Sequence, residues 1–150
     1  MTHTLLCFGY GYTARALARA LLPQGWRVIG TTRRPENLSE IAANGATGLL
    51  WPAVNTKNRV DVDLGTDTDV DIIAALDVAS HVLISAAPDQ NGDPVLQALM
   101  GAITQAAPRL AWLGYLSTTG VYGNSDGDWV TEETPIAPST LRGQRRQAAE

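Results

Sequence analysis

Cysteine occurs once in the 150 residues, at Cys7, so no internal disulfide can form. Its place inside an apolar run reads as a buried structural thiol in the reducing cytoplasm, not as a nucleophile. No apolar run approaches membrane-spanning length, and no basic-then-apolar leader opens the chain. Base is not in excess: 11 Lys and Arg against 15 Asp and Glu give a net charge of -4, which excludes general nucleic-acid and membrane-surface binding. Acid, in turn, is missing before Glu36, where five arginines stand alone, whereas Asp61, Asp63, Asp67, Asp69, Asp71 and Asp77 crowd a stretch without base. An anionic ligand would prefer the N-terminal third. An acid-free, arginine-bearing start also has the look of an organelle transit segment, but the same residues fit a strand, a turn and a helix, which is the preferred reading. Nothing divides the chain in two: 150 residues, 45% hydrophobic, suit a single domain spanning 1–150.

What is present begins with Leu5-Leu6-Cys7-Phe8-Gly9-Tyr10-Gly11-Tyr12-Thr13-Ala14, an apolar strand running into Gly-x-Gly-x-x-Ala and then a helical pattern. A helix N-terminus offers unpaired N–H groups and partial positive charge to a pyrophosphate. Gly9 would allow the turn, Gly11 would let phosphates approach, and Ala14 is small enough for helix to pack on strand. Glycines alone are weak evidence, so the surroundings decide. Ala14, Leu17, Ala18 and Leu21 recur at i, i+3, i+4 and i+7, Pro23 and Gly25 stop the helix, and Trp26 to Thr32 supplies a second strand.

Further on, Glu36 to Asn44 predicts a short helix ending at Gly45, and Thr47 to Trp51 a third strand. Val60 to Leu64 alternates and is the rival place for that strand; otherwise Ala53 to Asp69 reads as a solvated loop, without the Gly and Glu that an EF-hand needs. Val70 to Val78 reads as helix and His81 to Ser85 as strand four, with His81 structural. Asp93-Pro94 fits an N-cap and first helical residue, followed by the stripe Leu96, Leu99, Met100 and Ile103. Leu110 to Ser117 is strand five, a loop-rich stretch follows, and Thr140 to Glu150 predicts a last helix. The alternation implies an α/β fold, a Rossmann-type doubly wound parallel sheet of about five strands with helices on both faces. Ligands of such sheets sit at the carboxyl ends of the strands, which gathers Gly9 to Ala14, Thr31 to Arg34, Ser85 to Pro88 and Ser117 to Thr119 along one crevice, with Gly9, Gly11, Tyr12, Thr13, Ala14, Thr32, Arg33, Arg34, Ser85, Ala86, Ala87, Pro88 and Ser117 as the cofactor-binding candidates.

An NAD site has Asp or Glu about 20 residues after the glycines, on the ribose hydroxyls. Here Thr32, Arg33 and Arg34 occupy the end of the second strand instead, a hydroxyl and two forks suited to the 2′-phosphate of NADP. NADP is therefore the expected cofactor, with NAD as the alternative. No spacing of ligand residues points to a metal.

With the glycine turn upstream, Ser117-Thr118-Thr119-Gly120-Val121-Tyr122-Gly123 resembles the extended short-chain dehydrogenase/reductase superfamily, of the NAD-dependent epimerase/dehydratase type. Ser85-Ala86-Ala87-Pro88, Gly92-Asp93-Pro94 and Trp129 to Glu133 are similar to its atypical YeeZ-like branch. The resemblance implies that Thr118 polarises the substrate oxygen. It also implies a Tyr acid/base with a Lys four residues later, between a Pro and a Glu. Pro138 and Glu150 match those flanks, but Arg142 stands at the Tyr position and Arg146 at the Lys position. Arginine stays protonated and cannot act as a tyrosinate does. Tyr115 and Tyr122 lie near by sequence, without an identifiable base. Family members continue into a substrate-binding region, so only the N-terminal cofactor-binding part is expected here.

Two functions compete. One is an oxidoreductase or epimerase acting beside NADP on a hydroxyl- or carbonyl-bearing small molecule such as a nucleotide sugar. The other is a non-catalytic dinucleotide-binding module, a redox sensor or scaffold. Expected partners are the dinucleotide, that small molecule and a second copy of the chain in a homodimer.

Overall fold

The structure, a computed structural model, describes residues 3–52 and 67–150, residues 67–70 by their backbone alone. Five strands, β1 (Thr4–Phe8), β2 (Arg27–Thr32), β3 (Thr47–Leu50), β4 (His81–Ile84) and β5 (Trp112–Tyr115), form one sheet in the order β3-β2-β1-β4-β5. Helices α1 (Tyr12–Leu21), α2 (Leu38–Ala43), α3 (Asp67–Val78), α4 (Pro94–Ala106) and α5 (Leu141–Ala149) complete the alternation. The pairings of β1 with β2 and β4, and of β2 with β3, are parallel. The strand order runs outward from β1 through β2 to β3 and resumes with β4 on the other side of β1, the order for which right-handed crossovers place helices on both faces. This is the expected Rossmann-type fold. It places the reversal of strand order between β1 and β4.

β1 is buried at all five positions, as a central strand with two covered faces must be. Phe8 is fully buried and meets the Trp51 ring edge-on at 5.4 Å. α1 buries Ala14 and Ala18, with Leu17 and Leu21 half-buried, and ends in a 3-10 turn over Leu22–Gln24 closed by Gly25 at φ +80°. Pro23 and Gly25 thus stop the helix as their backbone chemistry requires. α2 is tied to α1 by Arg15 and Glu40, 2.6 Å apart and half exposed, which contributes no more than about 1 kcal/mol.

Several expectations shift. The predicted Glu36 to Asn44 helix begins as a 3-10 turn, Pro35–Asn37, before α2. The third strand sits at 47–50; its rival, 60–64, lies outside the described residues. Asp67 and Asp69 belong to α3, not to a loop. In α4 the buried stripe is Val95, Leu99, Ile103 and Ala106, while Leu96 is half-buried and Met100 is 51% exposed. Asp93 explains the phase: its Oδ1 accepts from the N–H groups of Val95 (2.8 Å) and Leu96 (3.0 Å), and that cap fixes the helix rotation. β5 is shorter than predicted, because Leu110 closes a 3-10 turn and Ser117 lies beyond the paired residues.

The residues cluster into two compact units, Met1–Ser85 with Gly101–Gly114, and Ala86–Met100 with Tyr115–Glu150. In the first, Arg109 donates to the Leu76 carbonyl (3.1 Å) and the Asp77 carboxylate (2.7 Å), covering acceptors at the C-terminus of α3. In the second, α5 starts at Thr140, whose hydroxyl accepts from the Gly143 N–H at 3.1 Å.

Cys7 is fully buried, and burial pushes its thiol up to about 12. The folded chain should therefore leave a disulfide reagent untouched at pH 8, and one equivalent should react after unfolding in urea. Rapid native reaction would contradict the placement of β1.

Candidate functional site

Gly9 ends β1 at φ +94°, a conformation that side chains resist. Its N–H donates to Thr31 Oγ1 at 2.8 Å, and the Tyr10 N–H donates to the Thr31 carbonyl at 2.9 Å. From the other neighbouring strand, the Ser85 hydroxyl lies 2.7 Å from the Gly9 carbonyl oxygen and 3.1 Å from that of Phe8. The turn is thus clamped from β2 and from the end of β4. Gly11 is the N-cap of α1; no side chain caps the helix and its first turn carries no acid. The first N–H groups of a helix have no partner within it, so here they are left for a ligand. A Cβ on Gly11 would meet no atom of the described residues within 4 Å. Protein packing does not demand glycine there; a closely approaching ligand would. Ala14 is fully buried against the fold, whereas Tyr12 and Thr13 face solvent. These residues fit a dinucleotide pyrophosphate.

At the end of β2, Thr32 Oγ1 accepts from the Arg34 N–H at 3.2 Å and from Asn37 at 3.4 Å, fixing the turn. Arg33 and Arg34 are exposed, and among the described residues neither pairs with a carboxylate. Both guanidinium groups are placed to receive an anion.

The second unit holds the other predicted residues. Ala87 and Ser117 are exposed, Pro88 is half-buried, and half-buried Ala86 offers its carbonyl to Arg146 Nη2 at 3.3 Å. Thr118 caps the 3-10 turn Thr119–Tyr122, its oxygen accepting from the Gly120 N–H at 3.3 Å. The Thr118 hydroxyl hydrogen remains able to donate. Arg142 is exposed; Arg146 is 8% exposed, stands over the Tyr115 ring at 5.1 Å, and has Nη1 buried without an acceptor among the described residues.

The sequence reading missed the partner of Tyr115. Its hydroxyl donates to Asp93 Oδ2 at 2.7 Å, and Asp93 is 4% exposed. Asp93 was legible only as a helix cap, and nothing in a spacing of 22 residues signals the pair. Burial first, then the bond to Asp93, pushes the Tyr115 phenol up to about 12, against the opposing pull of Arg146. Tyr115 is therefore a protonated donor at neutral pH, and Arg146 cannot lose a proton at all. Thr31, which the sequence places along the crevice at the strand ends, holds the Gly9 N–H from β2.

No protein-family model matches the chain. It is 29% identical over its full length to UDP-arabinose 4-epimerase 1 of Arabidopsis thaliana, of which it covers 38%. A solved structure of a functionally unknown conserved protein from Silicibacter pomeroyi is 49% identical over 99% of the chain and 46% of that protein, with a TM-score of 0.79. The UDP-glucose-4-epimerase of Stenotrophomonas maltophila, solved with NAD and formylated UDP-arabinopyranose, matches at a TM-score of 0.64 and 20% identity, covering 99% of this chain and 46% of that one. At that identity the likeness shows the fold. The chain thus spans less than half the length of these proteins. UDP-sugar 4-epimerases stand among the proteins similar to this chain, and what the chain shares with the solved ones of known activity is the Rossmann-type fold.

Proposed function

We propose that residues 1–150 bind NADP as one dinucleotide-binding region of an epimerase/dehydratase-type oxidoreductase acting on a hydroxyl- or carbonyl-bearing small molecule. The observation that carries this reading is the glycine turn: Gly9 locked at φ +94°, an uncapped α1 and open space at Gly11. The pyrophosphate would lie on the N–H groups of Gly11, Tyr12 and Thr13. Arg33 and Arg34, with Thr32, favour a 2′-phosphate over bare ribose hydroxyls, since no acid stands there. Bound NADP supplies hydride transfer. Thr118 would hydrogen-bond the reacting oxygen, and Ser85 holds the turn. A nucleotide sugar is the substrate class favoured by the UDP-sugar epimerases among the similar proteins. Half-exposed Trp112 and Leu113 on the edge strand β5 support a homodimer, and the lone buried thiol supports a cytoplasmic setting. Light scattering should return twice the mass of the chain; a monomer at high concentration would remove the dimer.

One observation favours a second reading, a dinucleotide-binding module without turnover. At the positions that hold Tyr and Lys in the family stand Arg142, exposed, and Arg146, buried under a cation–π contact, and neither can exchange a proton. NADPH oxidation with a panel of carbonyl substrates that includes 4-keto nucleotide sugars separates the two. Turnover abolished by Thr118→Ala supports the enzyme, and retained binding with no turnover supports the module.

Cofactor binding is tested by titrating NADPH and NADH against tryptophan and nicotinamide fluorescence. NADPH should bind tighter, and Arg33→Ala with Arg34→Ala should erase the preference, each contact being worth roughly 1.5–3 kcal/mol or about ten-fold and more. Gly11→Ala should weaken binding of both while the urea midpoint moves little, because the added Cβ meets no atom of the described residues within 4 Å. Equal affinity for the two cofactors would overturn the role of the arginines, and binding of neither would overturn the reading as a whole.

A further inference from the structure

The amino end of the sheet, away from the glycine turn, carries a cluster that the cofactor reading does not use. His3 precedes β1, Trp26 precedes β2 and His81 opens β4. Parallel pairing of β1 with both neighbours, in the register Thr4 to Arg27 and Leu5 to His81, brings the three rings together. The imidazoles of His3 and His81 lie 5.6 Å apart between centroids at 87°, and the Trp26 ring is 4.7 Å from His3 and 4.6 Å from His81. Ser80 Oγ lies 2.9 Å from His81 Nδ1, accepts from the Thr4 N–H at 2.9 Å, and lies 3.2 Å from the Thr4 carbonyl oxygen.

We propose that His3 and His81 form a two-imidazole site for a divalent transition-metal ion of the class that prefers nitrogen ligands, Zn²⁺, Ni²⁺ or Cu²⁺. Ser80 can accept a hydrogen bond from Nδ1–H while turning its own hydrogen to the Thr4 carbonyl, which leaves Nε2 of His81 as the lone-pair atom. Such a hydrogen bond to the second ring nitrogen is the usual orienting device of a metal-bound histidine. The spacing suits a shared ion. A metal–nitrogen bond of about 2.0–2.1 Å plus the ring radius puts each centroid roughly 3.2 Å from the ion. Centroids 5.6 Å apart then subtend roughly 120° at it, near the tetrahedral and trigonal range. His3 is exposed and can turn its ring to the ion; Trp26 walls one side. Among the described residues no third His, Cys, Asp or Glu joins the pair, so water or an outside ligand completes the coordination. The residues stand 78 apart and share no motif, which is why no sequence spacing marks them.

The chain has two histidines, so attribution is direct in untagged protein. Calorimetric titration with NiCl₂ or ZnCl₂ should give one ion per chain, and Ni²⁺ or Cu²⁺ should quench part of the tryptophan emission. That quenched part should vanish in Trp26→Phe while one ion still binds. His3→Ala and His81→Asn should each weaken binding at least about ten-fold, and Ser80→Ala about ten-fold through lost orientation. His3 is exposed before the first strand, so His3→Ala leaves the fold intact and keeps the test open if His81→Asn is damaged. Binding unchanged in His3→Ala, or no saturable binding below about 1 mM, would overturn the site. Since neither histidine lies in the glycine turn, NADPH binding should persist in both variants, which separates this outcome from that of the cofactor reading.

Discussion

A single backbone constraint underlies the structure: the chain must leave β1 and enter α1 within a few residues, through Gly9 at φ +94°. Any side chain there would cost about 1–2 kcal/mol in the left-handed region. The conformation is then held from outside, by Thr31 on the Gly9 N–H and Ser85 on the Gly9 carbonyl. Both donors of support come from the neighbours of β1, and they can do so only because β1 lies between β2 and β4. The strand order therefore locks the turn and opens the helix N-terminus that the turn creates. Fold and site share one cause.

Charge is handled differently in the two units. In the first, Arg33 and Arg34 are exposed, Arg15 pairs with the half-exposed Glu40 carboxylate but has Nε buried without an acceptor among the described residues, and Arg109 covers the end of α3. In the second, Asp93 and Arg146 are both buried, and burial of an ion costs several kcal/mol unless its bonds are made. Asp93 makes them: two N–H groups of α4 and the Tyr115 hydroxyl surround its carboxylate, and the helix dipole favours the negative charge. Arg146 has the Ala86 carbonyl and the Tyr115 ring, but among the described residues Nη1 is left without an acceptor.

What could be read from the sequence was what local physics decides. The Gly9 turn, Pro23 with Gly25, Gly45, Asp93-Pro94 and Thr140 each impose a boundary within a few residues, and each boundary stands where the pattern put it. The α4 stripe failed in phase because Leu96, Leu99, Met100 and Ile103 and the set Val95, Leu99, Ile103 and Ala106 are both apolar at helical spacing. Only the rotation fixed by Asp93 distinguishes them. Pairings such as Gly9 with Thr31, Asp93 with Tyr115 and His3 with His81 join residues far apart in sequence. They follow from strand order, which no local pattern encodes.

On the last helix, Arg142 and Arg146 stand four residues apart, yet Arg142 is exposed and Arg146 is buried. Gly143 sits so close to the Gly120 carbonyl and Pro138 that a Cβ would collide, so α5 is pressed onto the turn that follows Thr118. Close packing of this kind brings Arg146 to Tyr115 whatever its charge is used for. A lysine or tyrosine there can trade a proton near neutral pH when its environment is tuned; a guanidinium cannot. It can only hold: a carbonyl, a ring or an incoming oxygen. Of the Tyr115 and Thr118 hydroxyls, that of Tyr115 is committed to Asp93, whereas Thr118 accepts from the Gly120 N–H and keeps its hydrogen to donate.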